Sequence, residues 1–342
     1  MSNENSSRDS LGDRMKSYEA LSTSRQLMPN TPVYARIDGR AFHTFCHGLK
    51  KPYSDAFIEV MQEVCKFLVE ATNACLGYVQ SDEISLGWEN TVKAPFDGRI
   101  QKLESNLSSL ASARFVYHLC SLWFNSIGGT EVGLKGEDAV FAKDIKTLVN
   151  RMHNGAIPSF DCRVFNVPSM VELTNCFLWR ENDAIKNSIS GMALNFYSHK
   201  ELQNKNSDEK IHMMRMKGYC FWEDADPAFM RGTFFRRELY FKPLTNEEVE
   251  NIPEKQRERL YYGGDKSHGT SVMSLPNGDD FRLKHGVYYC MRNHVVPMDI
   301  PFRLSEIKSL DDALFGSYKW AKCKTNNPTF DLRKRAGDSA NE

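Results

Sequence analysis

The chain has no Cys-x-x-Cys pair, no long apolar run and no net charge. Each absence removes a class of function. Nine cysteines stand singly at 46, 65, 75, 120, 162, 176, 220, 290 and 323, so neither a structural zinc site nor a thioredoxin-type motif is supported. Their odd number and scatter fit reduced thiols, mostly in a core. No apolar stretch approaches the roughly 18 residues needed to span a bilayer. Residues 1–7 lack the apolar segment of a secretory signal. The expectation is a cytoplasmic protein with no membrane partner. Lys and Arg total 44 against 44 Asp and Glu, so bulk charge announces no nucleic acid and any RNA surface has to be a local patch.

Several site motifs are missing too. No Gly-x-x-x-x-Gly-Lys-Ser/Thr loop occurs near Gly128-Gly129 or Gly133-Leu134-Lys135, which excludes a P-loop. No Gly-x-Ser-x-Gly elbow marks a hydrolase. Tyr262-Gly263-Gly264-Asp265 begins like the signature of cyclic-dinucleotide synthases, but Lys266-Ser267 follows where further acidic and aromatic residues are needed.

What is present is a pattern of strands, helices and acids. At 342 residues the chain can bury a large core, as one domain or two. Residues 1–10 read as a disordered polar tail and 11–26 as a helix broken by Pro29-Asn30-Thr31-Pro32. Val33, Ala35 and Ile37 alternate as a strand that Gly39 ends. Phe57, Met61, Val64, Leu68 and Ala71 recur at helical spacing, which predicts a helix of about five turns with one buried stripe. Residues 76–88 return to extended character, with Asp82-Glu83 as a hairpin turn. A further helix is expected over 99–114. More strand and helix follow over 160–192, a charged helix over 200–217, and strands over 233–241 and 286–292. Residues 243–284 read as a polar, turn-rich insertion.

Asp38 and Asp82 thus stand at strand edges of a parallel or mixed sheet, where they can meet. Two carboxylates with phosphate oxygens and waters suffice for Mg²⁺, and two such ions serve phosphoryl transfer. Gly39, lacking a Cβ, lets backbone approach a metal or phosphate closely. Gly39 to His43 can wrap phosphates with backbone N–H groups, while Lys50, Lys51, Arg99 and Lys102 can neutralise a triphosphate. The competing reading makes Asp38 a turn residue, Asp82-Glu83 a solvated hairpin tip and the four cations helix-surface charge.

A series of stretches decides between these readings. It runs through 11–16, Ala35-Arg36-Ile37-Asp38-Gly39-Arg40-Ala41-Phe42-His43, Lys51-Pro52, Gln80-Ser81-Asp82-Glu83 and Pro95-Phe96-Asp97-Gly98-Arg99 with Lys102-Leu103. It continues through Phe160-Asp161-Cys162-Arg163, Trp179-Arg180, Lys186-Asn187-Ser188-Ile189, residues 198–202 and Arg231-Gly232-Thr233. In this order it resembles the tRNA-His guanylyltransferase superfamily, and within it the Thg1-like proteins that add nucleotides in the 3′-to-5′ direction. The likeness covers about 11–237.

The resemblance implies an α/β (α+β) fold, a polymerase/cyclase-like palm with a βαββαβ core and added helices. It implies a nucleotidyltransferase core over 11–237, a C-terminal region over 238–320 packed on it and a tail over 321–342. It also implies two Mg²⁺ held by Asp38, Asp82 and the Gly39 carbonyl, with Glu83 as an adjacent essential acid. Arg40, Ala41, Phe42, His43 and Lys51 resemble the pocket for the activating ATP or GTP, and Arg99 and Lys102 its triphosphate positions. The implied partners are NTPs, tRNA or a similar RNA, and further copies of the chain, tetramers in the family. Lys200, Arg231, Arg236 and Arg237 are candidates for the RNA surface. Where the eukaryotic enzymes carry His-Ile-Asn-Asn-Leu-Tyr-Asn, this chain has Ile185-Lys186-Asn187-Ser188-Ile189-Ser190-Gly191. That is similar to the Thg1-like branch and favours templated repair of a 5′-truncated tRNA over untemplated addition of one G. A palm-domain nucleotide cyclase and a non-catalytic RNA-binding homologue are the alternatives.

Overall fold

The computed structural model describes residues 10–127, 136–257, 260–262, 272–274, 280–282, 287–298 and Leu314. The segments at Gly128 to Lys135 and Gly263 to Ser267, and both tails, lie outside the described residues. The chain divides into two compact units, Met1–Arg237 with Val295–Gly316, and Glu238–His294 with Ser317–Glu342.

In the first unit the order is α1 (Ser10–Thr23), β1 (Val33–Gly39), α2 (Asp55–Thr72), β2 (Leu76–Gln80), β3 (Glu83–Trp88), α3 (Ile100–Ile127), α4 (Glu137–His153), β4 (Phe160–Asn166) and α5 (Met170–Ala193). After α6 (Ser207–Met216) and two short helices, β5 (Thr233–Leu244) begins in this unit and runs into the next. The strands lie in the order β4-β1-β3-β2-β5, and every pairing in this set is antiparallel. This corrects the expectation of a parallel or mixed sheet. The ends meet because β1 runs antiparallel to β3, which places Asp38 opposite Glu83.

The register of β1 explains how both faces are covered. Val33, Ala35 and Ile37 pack into a core with the stripe of α2 and with Leu103, Leu107, Ala111 and Phe115 of α3. Tyr34 points to the other face, where Leu173 and Phe177 of α5 meet Leu76, Tyr78 and Phe234. Helix α2 starts where the Ser54 hydroxyl accepts the Phe57 N–H at 3.3 Å, and it ends at Asn73 in the left-handed region. Its Phe57, Met61, Val64 and Leu68 are buried, and each contributes roughly 1.5–3 kcal/mol on removal from water.

Other elements differ from expectation. The β2–β3 turn falls on Ser81-Asp82, and Glu83 is already in β3. Helix α3 runs on to Ile127 because Phe115 and Leu119 continue its buried face. Helix α4 is an element beyond those expected, and Phe141, Ile145, Leu148 and Met152 carry its helical spacing. The helix expected over 200–217 is broken at Asn204, whose φ of 58° is left-handed, into His199–Leu202 and α6.

The second unit has its own pieces. Helix Asn246–Glu250 is started by a reciprocal Thr245–Glu248 capping box. Strands β6 (Tyr261–Tyr262) and β9 (Tyr288–Pro297), whose last three residues belong to the first unit, pair antiparallel, as do β7 (Val272–Ser274) and β8 (Asp280–Arg282). The stretch 243–284 therefore carries helix and strand where only turns were expected. Among the described residues no helix is long and apolar enough to cross a membrane.

Candidate active site

The tip of the β2–β3 hairpin leans on the end of β1. The Gly39 N–H donates to the Asp82 carbonyl at 3.0 Å, and the Arg40 N–H donates to Ser159 at 2.8 Å. A Cβ on Gly39 would lie 2.5 Å from the Phe42 ring and 2.9 Å from Asp82 Cβ, so only glycine permits this approach. Phe42 is itself core, packed against Phe45, Phe57, Phe115 and Phe160. Its ring supports Gly39 from below, while Arg40, Ala41 and His43 are exposed.

Two non-glycine residues in the left-handed region flank the carboxylates, Ala41 at φ 57° and Ser81 at φ 52°. Such backbone costs of order 1–3 kcal/mol and is held by its surroundings. Ala41 starts the one-turn helix Phe42–Phe45 with no side-chain cap on its N–H groups.

The electrostatics separate Asp82 from its neighbour. Burial raises the Asp82 pKa and the charge of Asp38 raises it further, against the hairpin backbone, the Ser81 hydroxyl and His43. Among the described residues neither Asp38 nor Asp82 forms an ion pair. Glu83 is also raised by burial, but Arg180 opposes this through charge and hydrogen bonding, and Arg36 assists. Arg180 Nε bonds one Glu83 oxygen, and Arg36 Nε lies 3.9 Å from the other. Arg36 and Arg180 both lie over the Trp179 ring, at 5.5 and 4.7 Å. Arg180 also reaches Asp183 at 3.2 Å. The Trp179-Arg180 pair is thus a support of Glu83, a role that no spacing rule assigns.

Lys51 is exposed on the loop before α2, and its charge and that of Asp82 both act on the Cys46 thiol, which burial pushes up to about 12. Arg99 and Lys102 lie elsewhere. Gln26 bridges to Arg99 and the Ile100 N–H donates to Arg25, at the Val33 end of β1. From Arg99 to Ser112, whose hydroxyl accepts the Phe160 N–H beside Gly39, α3 rises roughly 20 Å. The structure does not bring these two cations to the carboxylates of the same chain.

The expected RNA cations also divide. Lys200 is exposed. Arg231 stands 3.9 Å from Glu181, which is fully buried, and belongs to the packing of α5. Arg237 donates to the Val69 and Glu70 carbonyls at 3.0 Å and to Asn73 at 2.8 Å, closing the C-terminus of α2. Arg236 lies opposite Leu76 in the sheet. Arg231 and Arg237 are structural cations, because unpaired helix carbonyls and a buried carboxylate draw them inward.

An antiparallel sheet backed by helices, with two unneutralised carboxylates where a hairpin meets a strand end, defines a palm-type α+β protein. Residues 12–168 match the Thg1 model, tRNAHis guanylyltransferase. A bacterial tRNA(His) guanylyltransferase (Thg1)-like protein, solved in complex with ATP, aligns with a TM-score of 0.53 and 31% identity over 66% of this chain and 88% of its own. The tRNA(His) guanylyltransferase of Schizosaccharomyces pombe is 29% identical over 178 residues, 51% of this chain and 56% of its own length. An uncharacterised protein of Acanthamoeba polyphaga mimivirus is 24% identical over 242 residues, 67% of this chain and 77% of its own. The chain belongs to the tRNA(His) guanylyltransferase family, whose members are nucleotidyltransferases.

Proposed function

We propose that this nucleotidyltransferase extends the 5′ end of a tRNA or similar RNA in the 3′-to-5′ direction, as templated repair of a truncated end. The observation that carries the reading is the Asp38–Asp82 pair, two carboxylates held together without a cation. The Asp38 charge disfavours the ionised form of Asp82, and a hard divalent cation removes that cost. Among the described residues no cluster of three or more His, Cys, Asp or Glu forms a metal cage. Mg²⁺ needs none, since one or two carboxylates and phosphate oxygens suffice. Asp38, Asp82 and the Gly39 carbonyl would hold two such ions, which when bound lower the pKa of an attacking hydroxyl and screen phosphate charge.

The chemistry has three stages. The RNA 5′-monophosphate attacks the α-phosphate of ATP or GTP, forming a 5′-to-5′ pyrophosphate linkage and releasing pyrophosphate. The 3′-hydroxyl of an incoming NTP then attacks the activated 5′ phosphate and releases the nucleoside monophosphate. Hydrolysis of the new 5′ triphosphate to a monophosphate, with loss of pyrophosphate, ends the extension. The protein's share is placement and charge. The backbone N–H groups that open the Phe42–Phe45 turn and the charge of Lys51 face the phosphates, His43 stands beside Asp82, and Arg40 lies exposed at the rim. Arg180 and Arg36 hold Glu83 in place beside the pair and oppose the burial that raises its pKa. The ATP complex of the bacterial relative supports a nucleotide at this site.

Templated addition rests on the likeness of Ile185–Gly191 in α5 to the Thg1-like branch; within that stretch Ser188 is buried and donates to the Met230 carbonyl at 2.7 Å. This leaves Lys186, Asn187 and Ser190 as the polar side chains of that stretch less enclosed than Ser188. RNA contacts through phosphates and shape then fit a neutral chain with local cations such as Lys200. The test is incubation with labelled NTP and a 5′-truncated tRNA. The expected product is RNA lengthened at its 5′ end by the template-matched nucleotide. A cyclic nucleotide formed without RNA, or no product at all, overturns the reading.

A further inference from the structure

The loop between the Phe42–Phe45 turn and α2 carries Lys51, and α4 grips that loop from behind. Asp144 is 2% exposed, and both its oxygens accept the Lys50 backbone N–H, at 3.1 and 3.2 Å. Further along the same helix Arg151 donates to the His47 carbonyl at 3.1 Å. Between the two grips Gly48 turns with φ +94°, and a Cβ there would meet Thr147 at 3.9 Å. Successive turns of α4 therefore touch successive residues of the loop.

A buried carboxylate is costly to keep, so its use on a single backbone N–H marks a position that has to be fixed. Lys50 cannot be the residue being presented, because its Nζ is engaged by Asp55 at 2.9 Å and lies 5.2 Å from the Tyr53 ring. Lys51 is the exposed lysine of the pair. The charges of Asp82, Lys51 and Arg151 all act on the Cys46 thiol, which sets the loop, the helix and the hairpin tip around one point.

We infer that Asp144 and Arg151 are positioning residues that, through the backbone of His47 and Lys50, hold Lys51 toward the phosphates of the nucleotide at Asp38 and Asp82. The inference rests on the nucleotide site proposed above. It assigns a role to α4, which lies behind the loop and supplies none of the carboxylates. The two side chains divide the work: Asp144 fixes the end of the loop next to Lys51, and Arg151 fixes its start.

The test is a double-mutant cycle on the full chain, read as KM for ATP and kcat in activation of a 5′-monophosphorylated RNA. Lys51→Ala and Asp144→Ala should each raise KM about tenfold with kcat changed less than about threefold. The double variant should be no worse than Lys51→Ala, because Asp144 acts only through that lysine. Asp144→Asn keeps one acceptor oxygen and should stay within about threefold of the wild type. Should Asp144→Ala fail to fold, Arg151→Ala carries the same cycle, with KM raised about threefold alone and unchanged on the Lys51→Ala background. Additive losses in the double variant, or a fall in kcat with KM unmoved, overturn the inference while the nucleotide site stands. A wild type that transfers no nucleotide, or a Lys51→Ala variant with unaltered KM, overturns the placement of the nucleotide and this inference with it.

Discussion

The tip of the β2–β3 hairpin and the sheet face one residue below it hold the same chemical group in opposite conditions. At the tip, Asp82 faces Asp38 with no ion pair to either among the described residues, and burial and the Asp38 charge make Asp82 harder to ionise. On the face, Glu83 is bracketed by Arg180 and Arg36, which in turn lie over Trp179. Two adjacent acids therefore do different work. Glu83 is tied into the packing by its cations, while Asp38 and Asp82 are the acids proposed above to meet a ligand.

The comparison breaks most directly at the tip. Asp38→Ala and Asp82→Ala should each lower nucleotide addition roughly a thousandfold, since each removes one of the two carboxylates proposed to hold the cations. RNA affinity should stay within about twofold, because phosphate-binding cations are untouched. Stability should hold or rise by up to about 1 kcal/mol, as removing one of two repelling carboxylates relieves the other. An end-labelled extension assay and a urea melt on the same preparation measure both. A variant that loses stability and keeps activity would show that these carboxylates serve the fold and not the reaction.

The face should respond the other way. Arg180→Ala leaves Glu83 enclosed without its main partner, and loss of one member of a buried pair costs about 3 kcal/mol. Urea denaturation should show this drop, and Arg180→Met combined with Glu83→Gln should recover most of it. If the single variant melts like the wild type, Glu83 is not held as described, and the contrast with Asp82 disappears.

Gly39→Ala joins the two regions. The added methyl would drive into the Phe42 ring and Asp82 Cβ, and forced packing of this kind costs typically about 2 kcal/mol. The hairpin tip has to shift outward to accept it, so activity should fall further than stability alone explains. Equal activity per folded molecule in Gly39→Ala would show that the approach of tip to strand is not what sets the reaction.

Much of this arrangement was legible in the residues. The alternation of Val33, Ala35 and Ile37 and the stripe of α2 are periodic and local, so pattern alone places them. The carboxylate pair was legible because Asp38-Gly39 and Ser81-Asp82 sit where strands end. The β2–β3 hairpin was legible too, but the antiparallel placement of β1 was not, since strand direction depends on which edges meet and no side chain of β1 encodes it. Helix α4 has helical spacing at Phe141, Ile145, Leu148 and Met152, but it carries no motif that ties it to the site. Arg99 and Lys102 were grouped with the site by residue type, but the direction in which α3 runs places them at the far end of β1. Charge is legible in sequence, whereas the partner that consumes it is a property of packing.

Cations sort by the same rule as the acids, and the smallest effect tests it there. Arg237 spends its guanidinium on the Val69 and Glu70 carbonyls and on Asn73, where α2 would otherwise end with open acceptors. Arg237→Ala should therefore cost about 1 kcal/mol of stability. Its RNA affinity should stay within about twofold, and the slope of log affinity against log salt should not change. Lys200→Ala should do the reverse, with the melt unmoved and the salt slope reduced by about one counterion. Titration of a fluorescent tRNA between low and moderate salt separates the two variants. A reduced slope for Arg237→Ala would mean that this guanidinium reaches phosphate, and that a charge paired in the folded chain can still serve the substrate.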